Sequence, residues 1–332
     1  MQKKQIISGR VLYVSDKEVY LARGAKIYLS RDGGQNWQLW VTLSVSFWTR
    51  VSMRISFLAR LLRLGVHHLA FSGEKGVVIA NKKSFLVQGD KAVSLGELEG
   101  ARPMVLCGSE RSVYYGEYRS NPERSPVHIW GLDFLSGEWR SVWFFEGVRH
   151  VHGVFQDPFT NAIWVTTGDS DEEAAIWRTD DCFSTLQCVV GGTQQFRAVH
   201  LLFTADYVYF GSDAPDEHNY IYRMDRAGTK VERLASVGGS VFYGCTVGDS
   251  LFFSTAVEPS NVNPCRYAEV WCSNDGVNWF KYVKFKKDFL SMKFFQYGQV
   301  FFPNCCGDET NFWCSPFATN KHGSSIKITD PC

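Results

Sequence analysis

The chain is dominated by short runs of β-branched and aromatic residues, each followed by a cluster of small or polar residues. Runs of this kind are typical of half-buried β-strands joined by turns. The clearest are YYGEYRSN, IWVTTGDSDEE, VYFGSDAPDEHN, FFSTAVEPSN and FFPNCCGDETN. The pattern predicts an all-β protein whose strands end repeatedly in polar loops.

One motif occurs twice within this pattern. The stretch IYLSRDGGQNW (27–37) has the spacing S-x-D-x-G-x-x-W, and VWCSNDGVNW (270–279) is a shortened copy. In such a turn the Asp side chain accepts hydrogen bonds from its own turn backbone, and Gly accepts a positive φ. We therefore expect both copies to join two strands and to be structural. The motif residues are Ser30, Asp32, Gly34 and Trp37, then Ser273, Asp275, Gly276 and Trp279.

Degenerate copies of the motif recur at a nearly constant spacing. Those around Asp133, Asp180 and Asp225 precede Asp275 at intervals of 47, 45 and 50 residues. The gap between Asp32 and Asp133 is about two such intervals, so a weak copy is expected near Lys82. A repeat of this length with about four short strands is typical of a propeller blade. We predict one β-propeller domain over residues 1–332, with seven blades of four-stranded antiparallel sheet, or six as the alternative.

Aligning the repeats brings polar side chains together at one face of the predicted propeller. The starts of the inner strands and the ends of the second strands open on the same face of each blade. Residues near the starts of inner strands are Arg102, Arg149, His150, His152, Arg197 and Tyr243. Residues at the ends of second strands include Glu117, Tyr118, Asp169 and Asp213. We expect these side chains to surround one mouth of the central channel.

The chemistry of these residues suits an anionic sugar. Arginine binds a carboxylate through two parallel hydrogen bonds, and neighbouring acids can transfer protons. We predict that Arg102, Arg149, Arg197, Tyr243 and Asp213 bind the substrate. Proton transfer is assigned to His150, His152, Tyr118, Glu117 and Asp169.

His150 and His152 are two residues apart on a predicted strand, so both side chains lie on one face. Two imidazoles alone are insufficient for a metal centre, and the sequence assures no third ligand. The chain also lacks the dinucleotide, P-loop, zincin and serine-hydrolase motifs. No metal or other cofactor is therefore predicted.

The segment 46–65 interrupts the strand pattern. No acidic residue occurs between Asp32 and Glu74, and FWTRVSMRISFLARLLRL (47–64) has an apolar face on a helical wheel. We predict a basic amphipathic helical insertion that packs on the propeller or lies on an anionic membrane surface. Its arginines interrupt it too often for a bilayer span. The apolar face comprises Phe47, Trp48, Val51, Ile55, Leu58 and Leu62, with Arg60 and Arg63 opposite.

Overall composition adds two expectations. A net charge of +1 over 332 residues gives no reason to expect nucleic-acid binding. The N-terminal stretch MQKKQIISGRVLYVSD has no apolar run of the kind found in secretory signals. We therefore predict a cytoplasmic protein, with peripheral contact to the inner membrane through residues 47–64.

The two S-x-D-x-G turns are Asp boxes, and with their spacing the chain resembles the sialidase and BNR-repeat superfamily. Sialidases use an arginine triad, a Tyr/Glu nucleophile pair and an Asp acid. Their Arg-Ile-Pro motif is absent here, and Arg102-Pro103 matches only part of it. The site also resembles that of seven-bladed polysaccharide lyases, which combine His, Tyr and Arg at one mouth, as do His150, His152, Tyr118 and Arg197.

These resemblances imply a carbohydrate-active propeller. We predict that it acts on or binds an anionic glycan or glycolipid in the central mouth, as a glycoside hydrolase or a polysaccharide lyase. The alternative is a non-catalytic scaffold that binds proteins or glycans, because Asp-box propellers also occur in that role.

Overall fold

A computed structural model describes residues 4–16, 18–100, 103–306 and 311–329. The chain forms seven β-sheets that are arranged around a common axis. The inner strands of neighbouring sheets contact one another at this axis. The prediction of an all-β, seven-bladed propeller is confirmed, and the six-bladed alternative is wrong.

The described residues form 29 strands. The first nine are β1 (Lys4–Ser8), β2 (Arg10–Ser15), β3 (Glu18–Arg23), β4 (Lys26–Ser30), β5 (Gln38–Thr42), β6 (Val66–Ser72), β7 (Lys75–Ala80), β8 (Lys83–Gln88) and β9 (Lys91–Glu97). The next eight are β10 (Cys107–Gly108), β11 (Val113–Gly116), β12 (Val127–Asp133), β13 (Glu138–Phe145), β14 (His150–Gln156), β15 (Ile163–Gly168), β16 (Ala175–Thr179) and β17 (Gln187–Gly191).

The remaining strands complete the last three blades. They are β18 (Ala198–Phe203), β19 (Val208–Ser212), β20 (Asn219–Met224), β21 (Val231–Val237), β22 (Val241–Val247), β23 (Ser250–Thr255), β24 (Tyr267–Ser273), β25 (Phe280–Lys286), β26 (Gln299–Phe301), β27 (Asn304–Cys306), β28 (Asn311–Phe317) and β29 (Ser324–Thr329). The helices are α1 (Phe47–Ser52), α2 (Ser56–Leu61), α3 (Met292–Phe295) and a 3₁₀ turn at Gln194–Phe196.

Six blades are consecutive along the chain, and the seventh is not. Strands β2–β5, β6–β9, β10–β13, β14–β17, β18–β21 and β22–β25 each form an antiparallel sheet in chain order. The seventh sheet has the order β26, β28, β29, β1, so the N-terminal strand forms the outer edge of the C-terminal blade. Strand β27 adds to the first blade by parallel pairing with β2.

The core lies between adjacent blades, where the apolar faces of neighbouring sheets pack together. One cluster joins Ile27 and Leu29 of the first blade to Val78 and Phe85 of the second. This packing agrees with the continuous apolar runs of the second strands, because a sheet between two blades buries both of its faces.

Glycines at the ends of two second strands allow the next blade to approach closely. A Cβ on Gly116 would lie 2.2 Å from the Val151 Cγ1 atom, and one on Gly211 would lie 2.4 Å from the Val241 Cβ atom. Each of these valines belongs to the inner strand of the following blade. A side chain at either position would collide with the inner strand of the following blade.

The two S-x-D-x-G turns join the third and fourth strands of their blades, as predicted. The Asp32 Oδ1 atom accepts hydrogen bonds from the Gln35 and Asn36 N–H groups at 3.0 and 2.9 Å. The Asp275 Oδ1 atom accepts from the Val277 N–H at 2.8 Å. Each carboxylate is thus used within its own turn.

Two of the degenerate copies were placed incorrectly. In the fourth blade the turn carboxylate is Asp181, which accepts from the Thr185 N–H at 2.8 Å, whereas Asp180 pairs with Arg178. In the second blade the turn between β8 and β9 lies at residues 89–90, so Lys82 is in the preceding turn. Neither slip changes the number of blades, because each displaces a turn within its own repeat.

The insertion after the first blade is two short helices and not one continuous amphipathic helix. Arg60, placed on the polar face by the helical wheel, is buried: it pairs with Asp288 at 2.5 Å and donates to the Phe295 carbonyl at 2.6 Å. Trp48, by contrast, is 76% exposed. The break between α1 and α2 rotates the second helix so that Arg60 anchors the insertion to the last blade.

We predict that Ser325→Ala lowers the free energy of unfolding by about 1–3 kcal/mol, because a buried backbone donor loses its acceptor. The Ser325 Oγ atom accepts from the Val11 N–H at 3.0 Å and donates to the Gly9 carbonyl at 2.9 Å, which joins the last blade to the first. Urea unfolding followed by tryptophan fluorescence measures the change. The control is Ser324→Ala, whose exposed hydroxyl donates to the Lys321 carbonyl; equal stability of both variants and the parent would contradict the prediction.

Candidate functional site

A cavity of about 690 Å³ lies on the propeller axis, where the inner strands of the blades converge. Tyr118, Arg197, Asp213 and Tyr243 line it, as the alignment of repeats predicted. Basic side chains outnumber acidic ones in its wall, where the carboxyl groups are Asp213 and Glu258. The basic groups are Arg10, Arg60, Arg63, Arg119, Arg197 and Lys293.

Arg10, at the start of the innermost strand of the first blade, was missed by the sequence analysis. Its guanidinium lies over the Phe301 ring, 3.7 Å from the centroid, and its Nε atom has no hydrogen-bond partner among the described residues. Burial lowers the pKa of Arg10 to about 10, so the group is still cationic at neutral pH. Its position at the start of an inner strand, like that of Arg197, is the signal that would have found it.

The Asp169 carboxylate is the centre of an ionic network beside the cavity. It follows β15, and its oxygens lie 3.0 Å from the Arg149 Nη1 atom and 3.1 Å from the Arg197 Nη2 atom. Burial alone would raise the pKa of Asp169, but hydrogen bonds from His150 and His152 outweigh that effect and hold the pKa well below its usual range. Asp169 is therefore an anion at every pH at which the protein is expected to work.

His150 and His152 are both buried and meet at Asp169. Their Nε2 atoms are 3.1 Å apart, and they lie 3.2 and 3.5 Å from the Asp169 Oδ1 atom. Burial lowers the pKa of His152, although its hydrogen bond to Asp169 opposes the effect. A Cβ on Gly168 would lie 2.9 Å from the His152 Cε1 atom, so this glycine gives the ring its space.

Tyr118 separates the histidines from the cavity. Its ring centroid is 4.2 Å from that of His150, and Tyr118 itself lines the cavity. Burial, followed by the nearby Asp213 and Asp169 carboxylates, raises the pKa of Tyr118, so its hydroxyl keeps its proton. Burial also raises the pKa of Tyr243 to about 12, against the effect of Arg10.

Asp213 behaves differently from Asp169, although both lie near Arg197. Its Oδ2 atom is 3.5 Å from the Arg197 Nε atom, and the residue is buried. Burial raises the pKa of Asp213 to about 7 against the attraction of Arg197, and the Glu258 carboxylate raises it further. Burial likewise raises the pKa of Glu258. The cavity wall thus holds two carboxyl groups whose pKa values are raised by burial, with that of Asp213 close to neutral pH.

Of the other predicted residues, Glu117 and Arg149 are described by the structure and lie outside the cavity wall. Glu117 is buried and accepts a hydrogen bond from Trp130 Nε1 at 2.9 Å, so its assignment to proton transfer stays a prediction. Arg149 reaches the site only through Asp169. Arg102 lies outside the described residues.

Gln194 is a further polar residue that the sequence analysis did not select. Its Nε2 atom donates to the Asp169 carbonyl at 2.9 Å, and its Oε1 atom accepts from Arg197 at 3.5 Å. The 3₁₀ turn that holds it immediately precedes Arg197. No strand pattern marks such a turn, which explains why Gln194 was missed.

Comparison with known proteins gives the fold and no closer relationship. No protein-family model matches the chain, and no curated protein matches it by sequence. An oligogalacturonate lyase in complex with manganese superposes with a TM-score of 0.59 at 9% identity, covering 98% of this chain and 90% of that one.

Two further solved structures are similar to the same degree. YCF48 bound to a D1 peptide gives a TM-score of 0.57 at 12% identity, with 98% of this chain and 94% of that chain covered. A GH74 enzyme of Niastella koreensis gives 0.54 at 14% identity, with 83% and 46% covered. Enzymes and a peptide-binding protein thus share this architecture, so the function has to be argued from the site.

Proposed function

We propose that this protein binds an anionic glycan in its central cavity and cleaves it, as a glycoside hydrolase or a polysaccharide lyase. The observation that carries the proposal is the combination of Arg10 and Arg197 with the protonated carboxyl group of Asp213 in one cavity. Cations at the axis attract a carboxylate substrate, and a carboxylic acid beside them can donate a proton.

The two arginines differ in how they are held. Arg197 forms ion pairs with Asp169 and Asp213, whereas Arg10 lies over the Phe301 ring. The Nε atoms of both arginines have no hydrogen-bond partner among the described residues. A guanidinium in a cavity shielded from water binds a carboxylate more strongly than one at the surface. Arg10 therefore provides the binding charge, and Arg197 provides a second, rigidly oriented one.

Asp169 and Asp213 have pKa values displaced in opposite directions by their surroundings. A pair of this kind assigns acid and base roles within one site. Asp213 keeps its proton near neutral pH and serves as the general acid, while Asp169 stays ionised and holds Arg197 and the histidines in place. In hydrolysis, Asp213 gives its proton to the departing glycosidic oxygen, water adds its hydroxyl group to the anomeric carbon, and the proton that this water releases restores Asp213.

The comparisons support this proposal at the level of the fold. Two of the similar structures are carbohydrate-active enzymes, an oligogalacturonate lyase and a GH74 enzyme. The Asp-box turns at Asp32 and Asp275 support kinship with the sialidase and BNR-repeat superfamily. A lyase cleaves the same linkage at the bond between the glycosidic oxygen and C4 of the uronic acid, while a base removes the C5 proton and a C4=C5 bond forms. The product therefore distinguishes the two reactions.

A membrane surface would supply such a glycan as a glycolipid, and the insertion favours this source. Trp48 of α1 and Phe289 of the loop before α3 are 76% and 96% exposed. Arg63, at the end of the same insertion, lines the cavity. Among the residues that the structure describes, no helix has the length and apolar character needed to cross a bilayer. We propose that this patch touches an anionic membrane surface beside the cavity mouth.

Arg10→Met and Arg197→Lys should each weaken binding of oligogalacturonate or a sialylated oligosaccharide by roughly 10- to 100-fold, since each removes a charge-assisted hydrogen bond. Isothermal titration calorimetry measures this, with a neutral glucose oligomer as the ligand control. Arg178→Met, which removes an arginine paired with Asp180 in an outer turn, should leave affinity unchanged. Equal binding of neutral and anionic glycans, or none, would favour the scaffold alternative.

Asp213→Asn should reduce turnover by about 10²- to 10⁴-fold while glycan affinity changes little, because it removes the general acid. Product analysis for an unsaturated uronic acid or a reducing end separates elimination from hydrolysis. Asp216→Asn, an exposed residue of the same loop, is the matched control. Unchanged turnover in Asp213→Asn would contradict the assigned role.

The same substitution should change the pH dependence of stability. From about pH 4 to about pH 7 the native Asp213 holds a proton that the unfolded chain has lost, so the parent protein loses stability as pH rises through this window. Asp213→Asn should remove that loss, which amounts to at most about 4 kcal/mol. Urea unfolding at several pH values measures it. Parallel curves for the two proteins would show that Asp213 ionises normally.

Trp48→Glu combined with Leu62→Glu should lower binding to vesicles containing phosphatidylserine by about tenfold or more, because two apolar contacts are lost. Flotation on a sucrose gradient measures the bound fraction, with neutral vesicles for comparison. Leu135→Glu is the control, because Leu135 is 99% exposed on an outer turn away from the insertion. A bound fraction that is the same for neutral and anionic vesicles, and that the double substitution does not change, would exclude this membrane contact.

A further inference from the structure

We propose that His150, His152 and Asp169 bind one divalent transition-metal ion beside the central cavity. The inference deepens the proposed function, because the ion would lie against Arg197 and Tyr118 of the same site. It stands on the arrangement of the three side chains, which the sequence alone could not bring together.

The three ligand atoms form a nearly equilateral triangle. The two Nε2 atoms are 3.1 Å apart, and the Asp169 Oδ1 atom lies 3.2 and 3.5 Å from them. Ligands about 2.1 Å from one ion at tetrahedral or octahedral angles are separated by roughly 3.0–3.5 Å. All three separations fall in this range, so a single ion fits with little movement of the side chains.

The other nitrogen of each imidazole contacts a backbone carbonyl. The His152 Nδ1 atom is 3.0 Å from the Ala198 carbonyl oxygen, and the His150 Nδ1 atom is 3.4 Å from that of Arg119. A carbonyl accepts hydrogen bonds only, so a proton on each Nδ1 frees both Nε2 lone pairs to bind an ion in place of the hydrogen bonds that the imidazoles otherwise donate to Asp169. Histidine ligands of metals are typically oriented in this way.

Without a cation, this arrangement places two lone pairs and a carboxylate oxygen against one another in a buried site. Either a proton on one Nε2 atom or a metal ion must relieve the repulsion. The triangle favours the ion because all three atoms lie at the mutual separations that one ion requires, whereas a proton needs only one of the three contacts. The Arg149 guanidinium leaves room for it, because it binds the other Asp169 oxygen, Oδ2.

The ion and Arg197 would both bind the same oxygen of Asp169. Its Nη2 atom is 3.1 Å from the same Oδ1 atom. Ligating carboxylates commonly accept an outer hydrogen bond, so the contact is compatible with coordination. Three protein ligands leave further positions open, as in catalytic metal sites. Two imidazoles and one carboxylate suit Zn²⁺, Mn²⁺ or Fe²⁺.

The test titrates the full chain, stripped with EDTA and then freed of chelator, with Zn²⁺ and separately with Mn²⁺ in a calorimeter. The parent protein should bind one ion per chain. His152→Gln and Asp169→Asn should each weaken binding by more than about 100-fold, since loss of a direct ligand exceeds the effect of losing an outer partner. His128→Gln and Asp171→Asn, which change a histidine and an aspartate outside the triangle, should bind like the parent.

Thermal unfolding provides a second measurement that does not depend on activity. Metal should raise the Tm of the parent and of both control variants, and it should not raise that of Asp169→Asn. The Asp169 side chain is 19% exposed, so Asp169→Asn keeps the test decisive should the buried His152→Gln fail to fold.

The proposal is overturned if Asp169→Asn binds the metal as tightly as the parent, or if the parent binds less than one ion per chain. The two imidazoles would then share a proton and hold no ion. Glycan titrations of the metal-free and metal-loaded protein separate this outcome from the proposed function. Anionic glycan binding without metal binding overturns the metal site alone. Metal binding without any glycan binding overturns the proposed function alone.

Discussion

The closure of the ring is the contact on which the rest of the structure depends. Strand β1 pairs with β29 over Lys4–Ser8, so the last blade is completed by the first residues of the described chain. Ser325 then joins that blade to the start of β2 through Val11 and Gly9. A ring of sheets with an open seam would expose two apolar faces, and Arg10 at the start of β2 would no longer be held over Phe301.

The central cavity derives its chemistry from the burial that this closure produces. Asp169 and Asp213 both face Arg197, yet hydrogen bonds from two imidazoles keep Asp169 ionised, whereas desolvation keeps Asp213 protonated near neutral pH. The difference arises from the number of donors around each carboxylate and not from residue type. One arginine between two such acids gives the site a fixed anion and a proton donor a few ångströms apart.

The sequence predicted the repeats well because every blade must bury its own strands. The apolar runs that form those strands therefore recur along the chain at a nearly constant spacing. The failed predictions have physical causes. Asp180 and Asp181 are equivalent by composition, and only the hydrogen bond from Thr185 shows which one closes the turn. Arg60 was placed on a polar face because a wheel assumes one continuous helix, and the break before α2 turns it towards Asp288. The sequence placed Asp169 at the same mouth as His150 and His152, but their direct contact depends on the pairing of β14 with β15, which the sequence pattern does not give.

The Asp-box carboxylates and the carboxylates beside the central cavity differ in how their hydrogen bonds are satisfied. In the outer turns, Asp32 and Asp275 accept hydrogen bonds from their own turns and have little capacity for another partner. Asp169 and Asp213, beside the central cavity, form ion pairs with Arg197 from a different part of the chain and not with their own turns. Carboxylates that depend on long-range partners can exchange them for a ligand, and those locked in a tight turn cannot.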